Sequence, residues 1–212
     1  MASIVYAHPY EVDERLQRLG TSREEWIEIV KACVAARGDT TDNDPQSAGG
    51  QMAWIFGTRM MRQLLRPRGL EKEILKGVEC VTDRSRKIRF AVVSTDEGTC
   101  DQHLSPKNRT PKGPASELIT DLNNQYELNL VDATGSPLPY DGDGYSFWYL
   151  CVYDSGEDVR AELSSPIEFK SRYFVKFSER VFIIKPGEWD GINVRVPVKN
   201  TDPAIEIDIR RR

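Results

Sequence analysis

The chain has 212 residues, a net charge of −4, 39% hydrophobic and 29% charged residues, which is the composition of a globular protein long enough to bury a core without metals or disulfides. No apolar run approaches the eighteen or so residues that a membrane span needs. Met1-Ala2-Ser3-Ile4-Val5-Tyr6 has no basic stretch followed by a long apolar one, so no secretory signal is expected and the cytoplasm is the expected compartment.

The first elements are helical. Val12, Leu16 and Leu19 share one face of a short helix over residues 9–19. Thr21-Ser22-Arg23-Glu24-Glu25 holds overlapping capping boxes, and Trp26, Ile29, Val30, Cys33 and Val34 then recur at helical spacing until Gly38. A polar connection over 39–50 leads to a further amphipathic helix marked by Ala53, Phe56, Gly57, Met60 and Leu64, which ends near Arg66-Pro67. Its other face carries Arg59, Arg62 and Arg66 at i, i+3 and i+7, a local basic ridge. Such a ridge fits either a solvated helix face or contact with phosphates or an acidic partner.

Strands follow. Residues 78–82 and 87–94 are rich in β-branched side chains, and Asp83-Arg84-Ser85-Arg86 between them predicts a hairpin. Residues 95–116 then run without periodicity, and a loop of that length in a compact domain is usually functional or disordered. A helix is expected over 115–126, with Leu118, Ile119 and Leu122 on one face, and a Gly/Pro/Asp-rich connection over 132–144. Further strands are expected at 145–153, 158–163, 173–177, 180–184, 192–198 and 204–209. In the first of these, Tyr145, Phe147, Tyr149 and Cys151 alternate with Trp148, Leu150 and Val152, so both faces are apolar, as in a central strand buried on both sides. The expected fold is α+β: a helical segment, 1–70, packed on a mostly antiparallel C-terminal sheet within a β-rich segment, 71–212, the two forming one continuous domain.

Charge is unevenly placed. Residues 59–89 hold ten bases (Arg59, Arg62, Arg66, Arg68, Lys72, Lys76, Arg84, Arg86, Lys87, Arg89) against four acids, a local +6 that leaves −10 for the rest. The long loop adds Lys107, Arg109 and Lys112, with Asp96, Glu97, Asp101 and His103 beside them. His103, with an unperturbed pKa near neutrality, is the candidate acid or base if the loop handles phosphate. Cys33, Cys80, Cys100 and Cys151 form no C-x-x-C pair. Three are expected as buried apolar thiols, while Cys100 has polar neighbours. There is no G-x-G-x-x-G, P-loop, G-x-S-x-G or H-x-x-x-H motif.

Pro166-Ile167-Glu168-Phe169-Lys170, with Asp154 or Asp158 upstream, looks like the core of the PD-(D/E)xK nuclease pattern over some fifteen residues. That resemblance implies Asp158 and Glu168 sharing Mg²⁺ while Lys170 stabilises charge. No Pro-Asp pair precedes the first acid. More broadly, the Trp-containing basic helix, Lys87-Ile88-Arg89-Phe90-Ala91-Val92-Val93, Asn108-Arg109-Thr110-Pro111-Lys112-Gly113 and Trp148-Tyr149-Leu150-Cys151-Val152-Tyr153 resemble uncharacterised bacterial proteins carried on mobile elements. What this implies is a bacterial setting of phage or plasmid conflict, in defence or counter-defence. The leading expectation is a non-catalytic interaction protein without a cofactor, engaging an acidic protein or a nucleic-acid backbone through the 59–89 region and the 107–112 loop. The alternative is a Mg²⁺-dependent nuclease or phosphodiesterase.

Overall fold

The computed structural model describes residues 3–128 and 144–192. The chain enters through β1 (Ile4–Tyr6), a short strand that its sequence does not announce, and turns into α1 (Pro9–Arg18) with Val12 and Leu16 buried. α2 (Arg23–Gly38) starts where the capping box predicts. Glu25 N–H donates to Ser22 Oγ at 3.4 Å, and Ser22 N–H donates to the Glu25 carboxylate at 2.8 Å.

α3 (Ala48–Leu65) turns inward through Ala53, Gly57, Met61 and Leu65, which leaves Met60 and Leu64 only partly buried at the flank of that face. Gly57 decides the fit. A Cβ there would lie 2.3 Å from Cys33 Sγ and 3.3 Å from Val92 Cγ1, so the missing side chain lets α3 seat on α2 and on the sheet at once.

Seven strands form one sheet. β2 (Glu71–Leu75), β3 (Val78–Asp83), β4 (Ile88–Ser94), β5 (Ser146–Asp154), β6 (Val159–Lys170) and β7 (Tyr173–Ile184) join β1 in the order β1-β7-β6-β5-β4-β3-β2. β1 runs parallel to β7, and β4 parallel to β5, while the other four neighbouring pairs are antiparallel. The fold is therefore α+β with a mixed, mostly antiparallel sheet. β2 is set by the two-residue turn Lys76-Gly77, whose φ values of 48° and 89° put both residues in the left-handed region, the turn geometry that fits the right-handed twist of the flanking strands. β7 joins the two strands expected at 173–177 and 180–184 into one. A parallel pair needs a crossover, and the chain between β4 and β5 holds α4 (Pro114–Leu128). The connection expected at 132–144, Gly144 apart, and the strands expected at 192–198, Ile192 apart, and 204–209 lie outside the described residues.

Each strand sorts its side chains by parity. Trp148, Leu150 and Val152 of β5 join Phe90, Val92, Leu163, Val181 and Ile183 beneath α1–α3, with Trp26 edge-on to Phe90 at 5.3 Å. Phe147, Tyr149 and Cys151 point the other way, to Ala91, Val93, Phe174, Phe177 and Ile119 of α4. β5 is buried on both faces, as its pattern predicts. Among the described residues, no helix is long and apolar enough to cross a membrane.

Candidate functional site

The basic segment is largely neutralised within the fold. Arg62 pairs with Glu79, Arg84 with Glu71 at 2.7 Å and Arg86 with Asp83 at 2.8 Å. Arg89 is buried and grips Glu73 with Nε at 2.8 Å and Nη2 at 3.2 Å, its guanidinium 4.2 Å from the Tyr145 ring. Lys87 occupies the β3–β4 turn in the left-handed region at φ 55°. Burial opposes the Asp83 carboxylate, but hydrogen bonds from Ser85 Oγ, Arg86 N–H and the Arg86 guanidinium outweigh it and hold its pKa below the usual range. These arginines tie the β2–β3–β4 edge together. Arg59 and Arg66, by contrast, are exposed and have no acidic partner among the described residues; Arg59 lies 4.4 Å over the Phe56 ring.

The long loop is built into the fold. Thr95, Thr99, Cys100 and Asn108 are buried, and the loop is held from below by an ion pair that nothing local in the sequence announces. Glu162 and Arg180, 0% and 3% exposed, meet through Nε–Oε1 at 2.8 Å and Nη2–Oε2 at 2.6 Å. The remaining donors of Arg180 reach the carbonyls of Gly98, Asp101 and Leu104, while Cys100 N–H and Ser164 Oγ donate to Glu162. Asn108 closes the return: its Nδ2 donates to Thr110 and Arg172 carbonyls, and Phe174 N–H donates to its Oδ1. Cys100, expected among polar neighbours, is buried with its thiol on the Ala161 carbonyl at 3.1 Å, and burial raises its pKa well above the ordinary value. Cys33 and Cys80 are likewise pushed up by burial, to about 12 and about 11, and Cys151 well above the ordinary value. His103 is exposed, and its N–H donates to Asp101 Oδ1 at 2.7 Å within a turn; Lys107 is exposed as well.

The three residues of the nuclease-like pattern do not converge. Asp158 sits in the β5–β6 turn and accepts from Arg160 Nε at 2.6 Å. Glu168 and Lys170 are exposed at the far end of β6, where Glu168 pairs in register with Lys176. From Val159 to Glu168 the strand advances about 30 Å, so one cation cannot be shared by Asp158 and Glu168. Among the described residues no group of three His, Cys, Asp or Glu side chains could hold a metal ion.

What the fold does assemble is a groove where the parallel strands β4 and β5 end. Arg109 N–H bonds the Ser94 carbonyl, which returns the loop to the end of β4. The Arg109 guanidinium spans the Thr95 carbonyl at 3.0 Å and the Asp154 carbonyl at 2.9 Å, and Arg37 from the end of α2 reaches the same Asp154 carbonyl at 3.4 Å. Lys112 forms the third corner, and Gln51 and Trp54 of α3 form the opposite wall of a space of about 370 Å³. No acid lines it. Lys112 is half-buried with no acceptor for its ammonium among the described residues, and burial holds its pKa below the usual lysine range, with the Cys151 thiol acting in the opposite sense. A cation kept partly from water and left without an anion is a standing cost that a bound anion would relieve.

No family model matches the chain, and no curated protein or solved structure matches it significantly. Of the residues expected in a binding site, the groove gathers Arg109 and Lys112, while Arg59, Arg62 and Arg66 lie further along α3. Arg37, Gln51 and Trp54 escaped sequence reading. Trp54 had no signal: it stands at i with Thr58, Met61 and Leu65 at i+4, i+7 and i+11, all buried, so helical periodicity alone would place it at the edge of the core.

Proposed function

We propose that this protein is a non-catalytic interaction protein that binds an anionic partner, an acidic protein or a nucleic-acid backbone, in the groove formed by Arg37, Arg109 and Lys112. One observation carries the reading: three cations from two separated segments, the end of α2 and the long loop, converge on a concave site with no acid in its lining, and one of them lacks any acceptor among the described residues. Converging charge without internal neutralisation is what separates this site from the paired arginines of the β2–β3–β4 edge. The resemblance to mobile-element proteins of bacteria supports a setting in phage or plasmid conflict.

The test titrates the full chain into labelled poly-glutamate and labelled DNA by fluorescence anisotropy at about 50 and about 200 mM salt. At least one probe binds at low salt and weakens steeply at high salt. Lys112→Met weakens that binding about tenfold or more, the worth of one charge-assisted hydrogen bond, while urea midpoints stay level or rise because a poorly solvated charge has been removed. Neither probe binding at low salt would end the proposal.

A further inference from the structure

The groove does not stop at Trp54. That residue also walls a second concavity of about 370 Å³ beside Arg59, Arg62 and Arg66, and the last two line a third, of about 600 Å³, that reaches Lys72. The three are consecutive along one stripe of α3. Gln51, Trp54, Thr58, Arg62 and Arg66 follow at intervals of three and four, so one helix face connects them. From Gln51 to Arg66, just past the end of α3, this path is about 22 Å long.

The chemistry along it alternates charge with flat apolar surface. Trp54 is 42% exposed, and Ile55 beside it is 39% exposed. The two acids on the path are already taken, Glu79 by Arg62 and Glu71 by Arg84. Arg59, Arg66 and Lys72 have no acidic partner among the described residues. At the floor of the middle concavity, Thr58 Oγ1 and Arg62 Nε are buried without a hydrogen-bond partner, and Thr58 is only 4% exposed.

We infer that this stripe is a track for single-stranded nucleic acid, with phosphates on Lys112, Arg59 and Arg66 and a base stacked on Trp54. The inference rests on the anion-binding reading above and names its occupant. An exposed indole between cations is a stacking platform, and stacking needs a base that is not already paired. A helix that reads duplex DNA must enter the major groove as a projecting rod. α3 is instead seated on α2 and β4 and offers a channel along one side. An acidic peptide would satisfy the cations but gives the indole no flat partner.

The test uses the full chain with a fluorescein-labelled mixed-sequence oligonucleotide as single-stranded DNA, as single-stranded RNA and as duplex, beside labelled poly-glutamate. The DNA and RNA arms distinguish the two sources of single strand. Single strands are expected to bind several-fold more tightly than duplex and to quench tryptophan fluorescence, with the quench absent in Trp54→Phe. Trp54→Ala is expected to weaken single-strand binding roughly 5- to 100-fold, Trp54→Phe to recover most of it, and poly-glutamate binding to ignore both changes. Arg66→Ala should lower the slope of log K against log salt by about 0.7, whereas Arg18→Ala, on α1, should leave it alone. Equal affinity for duplex, or full single-strand binding by Trp54→Ala, overturns the track. Binding of poly-glutamate alone overturns it too but leaves the anion-binding reading standing, and binding of no probe removes both.

Discussion

The two faces of the sheet are held by different physics. Under α1–α3 the contacts are apolar and dense: Trp26, Leu16, Ile29, Met61 and Phe90 are fully buried, and the one polar atom of Trp26 finds Thr21 Oγ1 at 2.9 Å. Under the long loop and α4, buried polar groups join in beside a smaller apolar cluster of Phe147, Tyr149, Phe174, Phe177 and Ile119. Glu162 and Arg180 carry the loop, and Asn123 of α4 donates to the Phe147 and Pro166 carbonyls at 2.8 and 3.0 Å while accepting from Phe147 N–H at 2.8 Å. The helices can settle by packing because their backbone is satisfied internally. A loop of irregular backbone cannot, so its carbonyls need donors from the sheet. The comparison teaches why a segment without periodicity is nonetheless placed well enough to aim Arg109 and Lys112 at a groove.

Five variants would break or sharpen this contrast. The largest effect is expected on the apolar face, where Trp26→Ala should cost about 3–5 kcal/mol in urea unfolding through lost burial and a residual cavity. Of similar size, but with a different signature, Glu162→Gln leaves Arg180 buried without its counter-charge and should cost roughly 3–5 kcal/mol. Hydrogen exchange separates the two, since only Glu162→Gln should expose the amides of residues 96–108 first. A double replacement, Glu162→Leu with Arg180→Met, should recover part of the loss but not all, because the Gly98, Asp101 and Leu104 carbonyls lose their donor. Gly57→Ala should cost about 1–3 kcal/mol by forcing α3 away from Cys33, measurable as a lowered urea midpoint. The smallest effect belongs to Asp83, whose depressed pKa contributes stability that is fully present above the unfolded carboxylate value of about 3.9. That contribution is lost as pH falls through the folded value, so wild type should lose stability below about pH 4 more steeply than Asp83→Asn.

Local signals were legible where the interactions are local. The capping box at Ser22 and Glu25 starts α2 because both partners sit within one helical turn. The hairpin at residues 83–86 is closed by Asp83, which accepts from the N–H groups of Ser85 and Arg86 two and three residues on. α4 was only half legible: of Leu118, Ile119 and Leu122, expected on one apolar face, Ile119 alone is buried, and Ser116, Thr120 and Asn123 are buried beside it, Asn123 because the Phe147 and Pro166 backbone gives it partners. Glu162 had no local signal: alternating with Val159, Ala161 and Leu163, it stands at the parity that a half-buried strand turns to water, and only the loop packed over it makes that face an interior. The basic segment misled by total. Its arginines are neutralised by acids between 3 and 43 residues away, Arg68 by Glu25 of α2 the furthest, and a local charge count does not register which element lies beside which.

By itself the sequence determined the helices of the first third, the two-sided burial of β5, the hairpin turn at 83–86 and the α+β class, since each follows from periodicity, caps or turn residues within a short window. Tertiary structure decided that β1 pairs in parallel with β7, that the chain between β4 and β5 carries α4 on the face opposite α1–α3, and that Arg37, Trp54, Arg109 and Lys112 line one groove. Those outcomes depend on strand register and on which helix face finds a partner. Both are fixed only when residues far apart in the chain compete for the same surface.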